Sequence, residues 1–179
     1  ASCSLFLASS SAITERLYAQ IGSTNITDSN APKSEIEALE WLRANSQSGD
    51  VIVTNRMLCK SSFVCDIADP NTGSSHLISA FSERRVVIEG PRFLAPAPFV
   101  NANQYPEWIR KRVADSLEFI DSPNKENYLT IVEYGSSFAY VLKGQTLNRS
   151  WTPWASVVYE NETVVILKLL GLSTTPLDT

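Results

Sequence analysis

The sequence predicts an α/β fold, with a single three-layer domain whose mixed sheet has a parallel centre and a C-terminal antiparallel hairpin. The first observation is that residues 39–56 have the pattern of a helix, a tight loop and a buried strand in succession. The second is a further helix and strand that end at Glu89. The third is that two β-branched segments, 155–159 and 163–169, flank a very short connection, which favours a hairpin.

The first predicted helix covers residues 34–45 and precedes a strand over 51–54. Its start, Ser34-Glu-Ile-Glu37, has the spacing of a capping box, in which serine and glutamate each satisfy a free backbone N–H. Its apolar stripe consists of Ile36, Leu39 and Leu42. The β-branched run that follows is typical of a strand covered on both faces.

The middle of the chain predicts two more helices and a second strand. A short helix capped by Ser74 or Ser75 leads to the strand, residues 85–89. Pro106 begins the clearest amphipathic helix, residues 106–121, because proline lacks the N–H that a first turn leaves unpaired. The apolar side chains expected to face the core are Trp108, Ile109, Val113, Leu117 and Ile120.

The last third of the chain predicts a short helix over 124–134 and then three strands. These strands are expected over 137–142, 156–159 and 163–169. The predicted domain organisation has an N-terminal helix and linker, the α/β domain, and a C-terminal tail. Their respective bounds are 1–33, 34–170 and 171–179.

The composition indicates one ordinary globular domain and excludes some function classes. The chain has 179 residues, of which 44% are hydrophobic and 19% charged. The net charge of −4 opposes nucleic-acid binding, which requires clustered Lys and Arg, so we expect no nucleic-acid partner. No stretch approaches the roughly 20 apolar residues that cross a bilayer.

The sequence contains no motif for metal, nucleotide or hydrolase chemistry. His76 is the one histidine, which leaves too few ligands for a zinc site and a single imidazole for a serine hydrolase. The serine turn at Tyr134–Phe138 lacks the second glycine of a nucleophile elbow. The glycines form neither a dinucleotide-binding motif nor a phosphate loop. We therefore assign no metal, no cofactor and no catalytic residue.

Three cysteines leave the redox state open. The short spacing between Cys59 and Cys65 allows a local disulfide, but two reduced core cysteines explain the same residues. Cys3 lies in the apolar start of the chain, where a lipid attachment and a buried or free thiol are the alternatives.

The more specific candidate for a ligand site is Glu89-Gly-Pro-Arg92, together with Arg85 at the start of the same predicted strand. Ligands of open α/β sheets bind outside the carboxyl ends of the strands. Arg92 could hold a phosphate or a sugar acid through two hydrogen bonds, with Glu89 orienting it or accepting sugar hydroxyls. The alternative is that Glu89 and Arg92 pair with each other or with helix ends and fix the loop.

Trp151 and Trp154 are the second candidates, because closely spaced indole rings stack on sugars or lie at a bilayer interface. The alternative is that they pack against the edge of the sheet. They would join the Glu89 site only if the hairpin lies beside that edge. Sequons at Asn25, Asn148 and Asn161 matter only in a eukaryotic secretory pathway, and we expect them to be chance.

Four stretches of the chain together have the pattern of a known class of proteins. They are Trp41–Val53, Ser79–Gly90, Tyr134–Leu142 and Val158–Ile166. They resemble, over residues 36–170, the extracytoplasmic C-terminal domain of bacterial multi-pass membrane glycosyltransferases of the GT-C type. These stretches mark fold elements rather than catalytic signatures. The Trp-Trp-Asp-Tyr-Gly signature of the oligosaccharyltransferase branch is absent, so no peptide-acceptor site is carried over.

The resemblance implies a domain on the extracytoplasmic face of the membrane, with residues 1–33 next to the bilayer. Its partners would be the transmembrane part of the same polypeptide and a glycan or lipid-linked sugar. The domain itself would be non-catalytic and would assist acceptor binding or positioning, while the whole protein would be a glycosyltransferase. This location also implies that Cys59 and Cys65 are bonded. The alternative function is a free-standing exported ligand-binding or sensory module, and a soluble hydrolase is a distant third.

Overall fold

The computed structural model describes residues 33–56, 76–90 and 105–171 of the protein. All of these residues belong to one compact unit, Ala31–Thr179. Several predictions concern residues outside the described ranges, so they stay predictions. They are the N-terminal helix, the serine cap at 74–75, the three cysteines and Arg92.

Helices and strands alternate along the chain before a closing hairpin. The helices are α1 (Lys33–Asn45), α2 (Leu77–Ser82), α3 (Glu107–Asp121) and α4 (Lys125–Glu133), with a 3-10 turn at Lys143–Gln145. The strands are β1 (Val51–Thr54), β2 (Arg85–Val86), β3 (Ser136–Leu142), β4 (Ala155–Glu160) and β5 (Val164–Leu169). No bounds were predicted for α2 or for the 3-10 turn, and those predicted for the other elements except β2 agree with the observed ones to within one residue.

The strands form a five-stranded mixed sheet in the order β2-β1-β3-β5-β4. β1 runs parallel to both β2 and β3, whereas β5 runs antiparallel to both β3 and β4. The predicted α/β class is therefore confirmed, with a parallel centre and an antiparallel C-terminal hairpin.

Two hydrophobic clusters cover opposite faces of this sheet. Alternate residues of β3 show the division, since Ala139 and Val141 belong to one cluster and Tyr140 and Leu142 to the other. The first cluster includes buried side chains of α3 and α4, and the second includes those of α1 and α2. Helices on both faces give the three layers.

The two edge strands are short or irregular. β2 has two residues, and the carbonyl of Val87 just beyond it accepts a hydrogen bond from Arg112 Nη1 at 3.2 Å. β4 has a register irregularity between Val157 and Tyr159 where it pairs with β5. Within the described residues, neither edge is a long straight row of unpaired backbone groups.

The prediction of a strand over residues 85–89 was too long. β2 ends at Val86, and the ladder continues only through the N–H of Val87, which donates to the Ile52 carbonyl at 2.9 Å. Val87 and Ile88 are buried as expected, but the chain turns away from the sheet there. The reason lies at Glu89, whose carboxylate binds the start of α2 and thereby draws the backbone out of the strand.

Two details of the predicted helices were also wrong. Ser34 does not begin a capping box, because it lies inside α1 and its hydroxyl hydrogen-bonds Thr163 Oγ1 at 2.7 Å. Trp108 does not face the core, since 49% of the residue is exposed. The buried stripe of α3 contains Ile109 and Phe119, and Trp108 is rotated about 100° from it because it precedes Ile109 by one position.

Candidate functional site at the carboxyl edge of the sheet

The carboxyl ends of β1, β2 and β3 share one edge of the sheet, because the three strands are parallel. We call this side the carboxyl edge. The turn between β4 and β5 lies there as well, since Leu142 at the end of β3 pairs with Val164 at the start of β5. In open α/β sheets this edge is where ligands bind, so its polar residues are the first candidates for a site.

A buried ion pair connects α1 to the carboxyl edge. Arg56, two residues beyond β1, places its Nε 2.5 Å from Oε2 of Glu35 in the first turn of α1. The Arg56 side chain is 4% exposed and that of Glu35 is 0% exposed. The start of a helix favours a carboxylate, because the unpaired N–H groups there carry partial positive charge.

Tyr140 brings a phenol to the same buried region from β3. Among the described residues, neither its hydroxyl oxygen nor Glu35 Oε1 has a hydrogen-bond partner. Burial raises the pKa of the Tyr140 phenol well above its usual value, and the negative charge of Glu35 raises it further, against an opposing effect of Arg56. Tyr140 is therefore neutral at physiological pH and retains its proton for donation.

Asn55 extends the pairing of β1 and β3 beyond the last strand residue of β1. Its Nδ2 donates to the Leu142 carbonyl at 3.1 Å, and its Oδ1 accepts from the Leu142 N–H at 2.8 Å. The side-chain amide of Asn55 thus makes the two hydrogen bonds to Leu142 that a backbone residue would make in a continued strand pairing. This contact fixes the chain immediately before Arg56, which helps to hold the guanidinium against Glu35.

The turn of the β4–β5 hairpin is fastened to the start of α1. Asn161 Nδ2 donates to the Ser34 carbonyl at 2.7 Å, and its Oδ1 accepts from the backbone N–H groups of Thr163 and Val164. The Ser34 and Thr163 hydroxyls form a second link across the same junction. The carboxyl edge is consequently braced from two sides around the Glu35–Arg56 pair.

Glu89 has a structural role at the same edge. Its Oε1 accepts from the Ile78 N–H at 2.6 Å and its Oε2 from the Ser79 N–H at 2.9 Å, so the carboxylate closes the start of α2. The next residue, Gly90, has φ +55° and lies so close to the His76 ring that a Cβ would overlap it. These contacts agree with the alternative in which Glu89 binds a helix end. A ligand role shared with Arg92 stays a prediction.

The structure does not bring Arg85, Trp151 or Trp154 to this edge. Arg85 is the first residue of β2, and its guanidinium donates to the Gly49 carbonyl at 3.1 Å, before β1 begins. Both tryptophans precede β4, whose Ala155 pairs with Leu169 at the far end of β5. All three residues therefore lie toward the opposite, amino edge of the sheet, and the hairpin does not supply them to the Glu89 region.

Both tryptophans take part in packing. Trp151 is 5% exposed, and its Nε1 donates to the Ile120 carbonyl at 3.0 Å. Trp154 is partly buried, with its ring centroid 5.2 Å from that of Tyr128. These positions match the packing alternative, and a sugar contact by either ring is untested.

The sequence-based interpretation missed Glu35, Arg56 and Tyr140. A signal was present, because Thr54-Asn55-Arg56 is a polar triplet at the carboxyl end of a buried strand. The residue that pairs with Arg56 could not be identified in the same way. Glu35 is one of several acidic residues at the start of α1, and only the packing of that helix on the sheet selects it.

Across residues 33–56, 76–90 and 105–171, no group of three His, Cys, Asp or Glu side chains is arranged to hold a metal ion. In the same part of the chain, no helix combines the length and the apolar character that a membrane span requires. The expected disulfide concerns cysteines that these ranges do not include.

No protein-family model matches the chain, and no curated protein matches it in sequence.

We expect removal of the Arg56 charge to destabilise the protein strongly. Arg56→Met leaves Glu35 charged and buried without a partner, which typically costs about 3–5 kcal/mol. The double variant Glu35→Leu/Arg56→Met removes both charges and should recover most of that loss. The measurement is the free energy of unfolding in urea.

The matched control is Arg43→Met, because Arg43 pairs with Glu83 at 3.3 Å while about half of each side chain is exposed. An exposed pair of this kind contributes less than about 1 kcal/mol. If Arg56→Met were no more destabilising than this control, the buried pair would not hold the edge together.

We also expect the stability of the protein to depend on Tyr140 at alkaline pH. Its native pKa is raised, so its contribution is fully present below the ordinary tyrosine pKa of about 10 and is lost as pH rises through the native pKa. Over that interval one such group lowers the free energy of unfolding by about 1.4 kcal/mol per pH unit.

Urea unfolding of the wild type and of Tyr140→Phe between pH 8 and pH 11 provides the test, with the pH limits set around that ordinary value of about 10. The variant should show the smaller alkaline decline, although Tyr128 and Tyr134, whose pKa values are also raised by burial, contribute in both proteins. Equal slopes would mean that Tyr140 ionises as readily in the native state as in the unfolded chain.

Proposed function

We propose that the chain is an extracytoplasmic, non-catalytic domain of a bacterial multi-pass membrane glycosyltransferase of the GT-C type. Its role is to help to bind or position the acceptor for a transferase that uses a lipid-linked sugar donor. The partners are the transmembrane part of the same polypeptide and a glycan.

The observation that carries this proposal is the place of the four resembling stretches in the fold. The first forms the second half of α1 and β1, and the second runs from α2 through β2 to the carboxyl edge. The third forms β3, and the fourth forms the end of β4, the hairpin turn and the start of β5. The similar segments are therefore one connected structural unit, which is what a shared domain architecture would give.

A positioning role is supported by the way in which the carboxyl edge uses its charges. Arg56 and Glu35 neutralise each other below the surface, and both oxygens of Glu89 bind backbone N–H groups. Asn161 fastens the hairpin turn to α1. These groups make the edge rigid, and rigidity is what a domain needs if it holds a membrane loop or an acceptor in place.

The second candidate is a free-standing exported ligand-binding or sensory module. It is favoured by two buried oxygens, the Tyr140 hydroxyl and Glu35 Oε1, which have no hydrogen-bond partner among the described residues, since the carboxyl edge is the usual ligand site of an open α/β sheet. The two candidates differ in whether a membrane-spanning part belongs to the same polypeptide.

We predict that the native protein, detected through a tag at its C-terminus, sediments with membranes and resists extraction by high salt. Added protease should remove the tagged domain from intact spheroplasts while a cytosolic marker protein stays whole. A tagged protein in the soluble exported fraction would favour the free-standing module. Protection from protease until lysis would contradict an extracytoplasmic location.

We further predict a Cys59–Cys65 disulfide in protein isolated from its native compartment, because that location is oxidising. Mass spectrometry without reductant should find the two cysteines joined by a disulfide. Closing so short a loop contributes roughly 2 kcal/mol, measured as the loss in Cys59→Ser. Quantitative alkylation of both thiols in native protein would contradict the bond.

A further inference from the structure

A second polar and aromatic cluster lies on α3, away from the residues that brace the carboxyl edge. We call it the Trp108 surface and define it by Trp108, Lys111, Arg112, Asp115 and Tyr134. The first four lie on α3 at positions that share one side of the helix, and Tyr134 follows the end of α4.

Arg112 lies against two aromatic rings in this cluster. Its guanidinium carbon is 5.8 Å from the centroid of the Trp108 ring and 5.3 Å from that of Tyr134. Its Nη1 donates to the Val87 carbonyl at 3.2 Å, so the side chain is held at one end. This is its one hydrogen bond to the described part of the chain, and Arg112 is exposed, so the other N–H donors of its guanidinium have no partner among those residues.

The second ring is fixed by a chain of polar contacts. The Tyr134 hydroxyl donates to Asp115 Oδ2, and Lys111 Nζ lies 2.8 Å from the same oxygen. Burial raises the pKa of Tyr134, and its hydrogen bond to Asp115 raises it further. The phenol therefore keeps its proton, and Asp115 is neutralised locally by Lys111 instead of opposing Arg112.

Trp108 belongs to none of the hydrophobic clusters of the described residues, and 49% of this large residue lies in solvent. An exposed indole beside a held guanidinium offers two kinds of contact at once. The part of the ring that Arg112 does not cover stacks on the apolar face of a sugar, and the guanidinium binds a carboxylate through two parallel hydrogen bonds. We propose that the Trp108 surface binds an acidic sugar residue of a glycan.

The charges of α3 favour a glycan over an anionic membrane as the partner. The helix carries Arg110, Lys111 and Arg112, but acidic residues are interspersed among them at Glu107, Asp115, Glu118 and Asp121. A lipid surface attracts clustered positive charge, and this helix has none in excess. One sugar carboxylate needs only one well-placed arginine, and the net charge of −4 suppresses non-specific binding of polyanions elsewhere.

This inference rests on the proposed function, because it names the surface and the class of glycan that an acceptor-binding domain would use. It can nevertheless be tested separately. Binding by the 179-residue chain needs no membrane part, whereas the location of the native protein is measured by fractionation.

The test is calorimetric titration of the chain with a linear tetrasaccharide of galacturonic acid at low ionic strength. Arg112→Gln should weaken binding at least tenfold, which corresponds to about 1.4 kcal/mol, and Trp108→Ala should weaken it by a similar factor. The matched control is Arg110→Gln, because Arg110 is also exposed and also donates to one backbone carbonyl, that of Tyr105, but it lies on a different side of α3. Circular dichroism and the melting temperature verify folding, and Trp108→Phe, which keeps a ring, should retain most of the affinity.

Three results would overturn the inference. They are no binding of the tetrasaccharide by the wild type, equal binding of the neutral maltotetraose, and unchanged binding in folded Arg112→Gln. Binding of the wild type to phosphatidylglycerol vesicles that Arg112→Gln abolishes, without any binding of the tetrasaccharide, would assign the surface to the membrane instead. Arg112-dependent binding of the tetrasaccharide by a protein that fractionates as soluble would keep the inference and remove the glycosyltransferase context.

Discussion

The buried ion pair between Glu35 and Arg56 is the constraint on which the rest of the carboxyl edge depends. Two opposite charges out of contact with water are tolerable only while they remain together, so α1 and the end of β1 must keep one relative position. The Asn55 bonds to Leu142 and the Asn161 bond to Ser34 serve that requirement from either side. The result is an edge where strand ends, helix start and hairpin turn are mutually fixed.

The elements of this fold could be predicted from the sequence because their signals are local. Proline at position 106, the glycine after α4 and the β-branched runs of β1 and β5 each act within a few residues. The amphipathic pattern of α3 was equally clear, but the sequence did not define which side of the helix packs on the sheet. Trp108 was assigned to the core because it is apolar, whereas its exposure follows from how the helix is rotated on the sheet.

The candidate site was less predictable, because its contacts join distant parts of the chain. Glu35 and Arg56 are 21 positions apart, and Asn55 and Leu142 are 87 apart. Nothing in a single sequence selects one glutamate from the others in α1 as the partner of Arg56. Conversely, Glu89 was a candidate because it follows a predicted strand, but in the structure its carboxylate accepts hydrogen bonds from the first N–H groups of α2.

The two edge strands, β2 and β4, affect how the protein behaves at high concentration. β2 has two residues, and the carbonyl of Val87 that follows it already accepts a hydrogen bond from Arg112. The pairing of β4 is interrupted by the register irregularity after Val157. Exposed β-strands can recruit further chains and so start fibrils, and shortening or kinking them removes the template. Many copies could therefore be crowded together without their sheets merging.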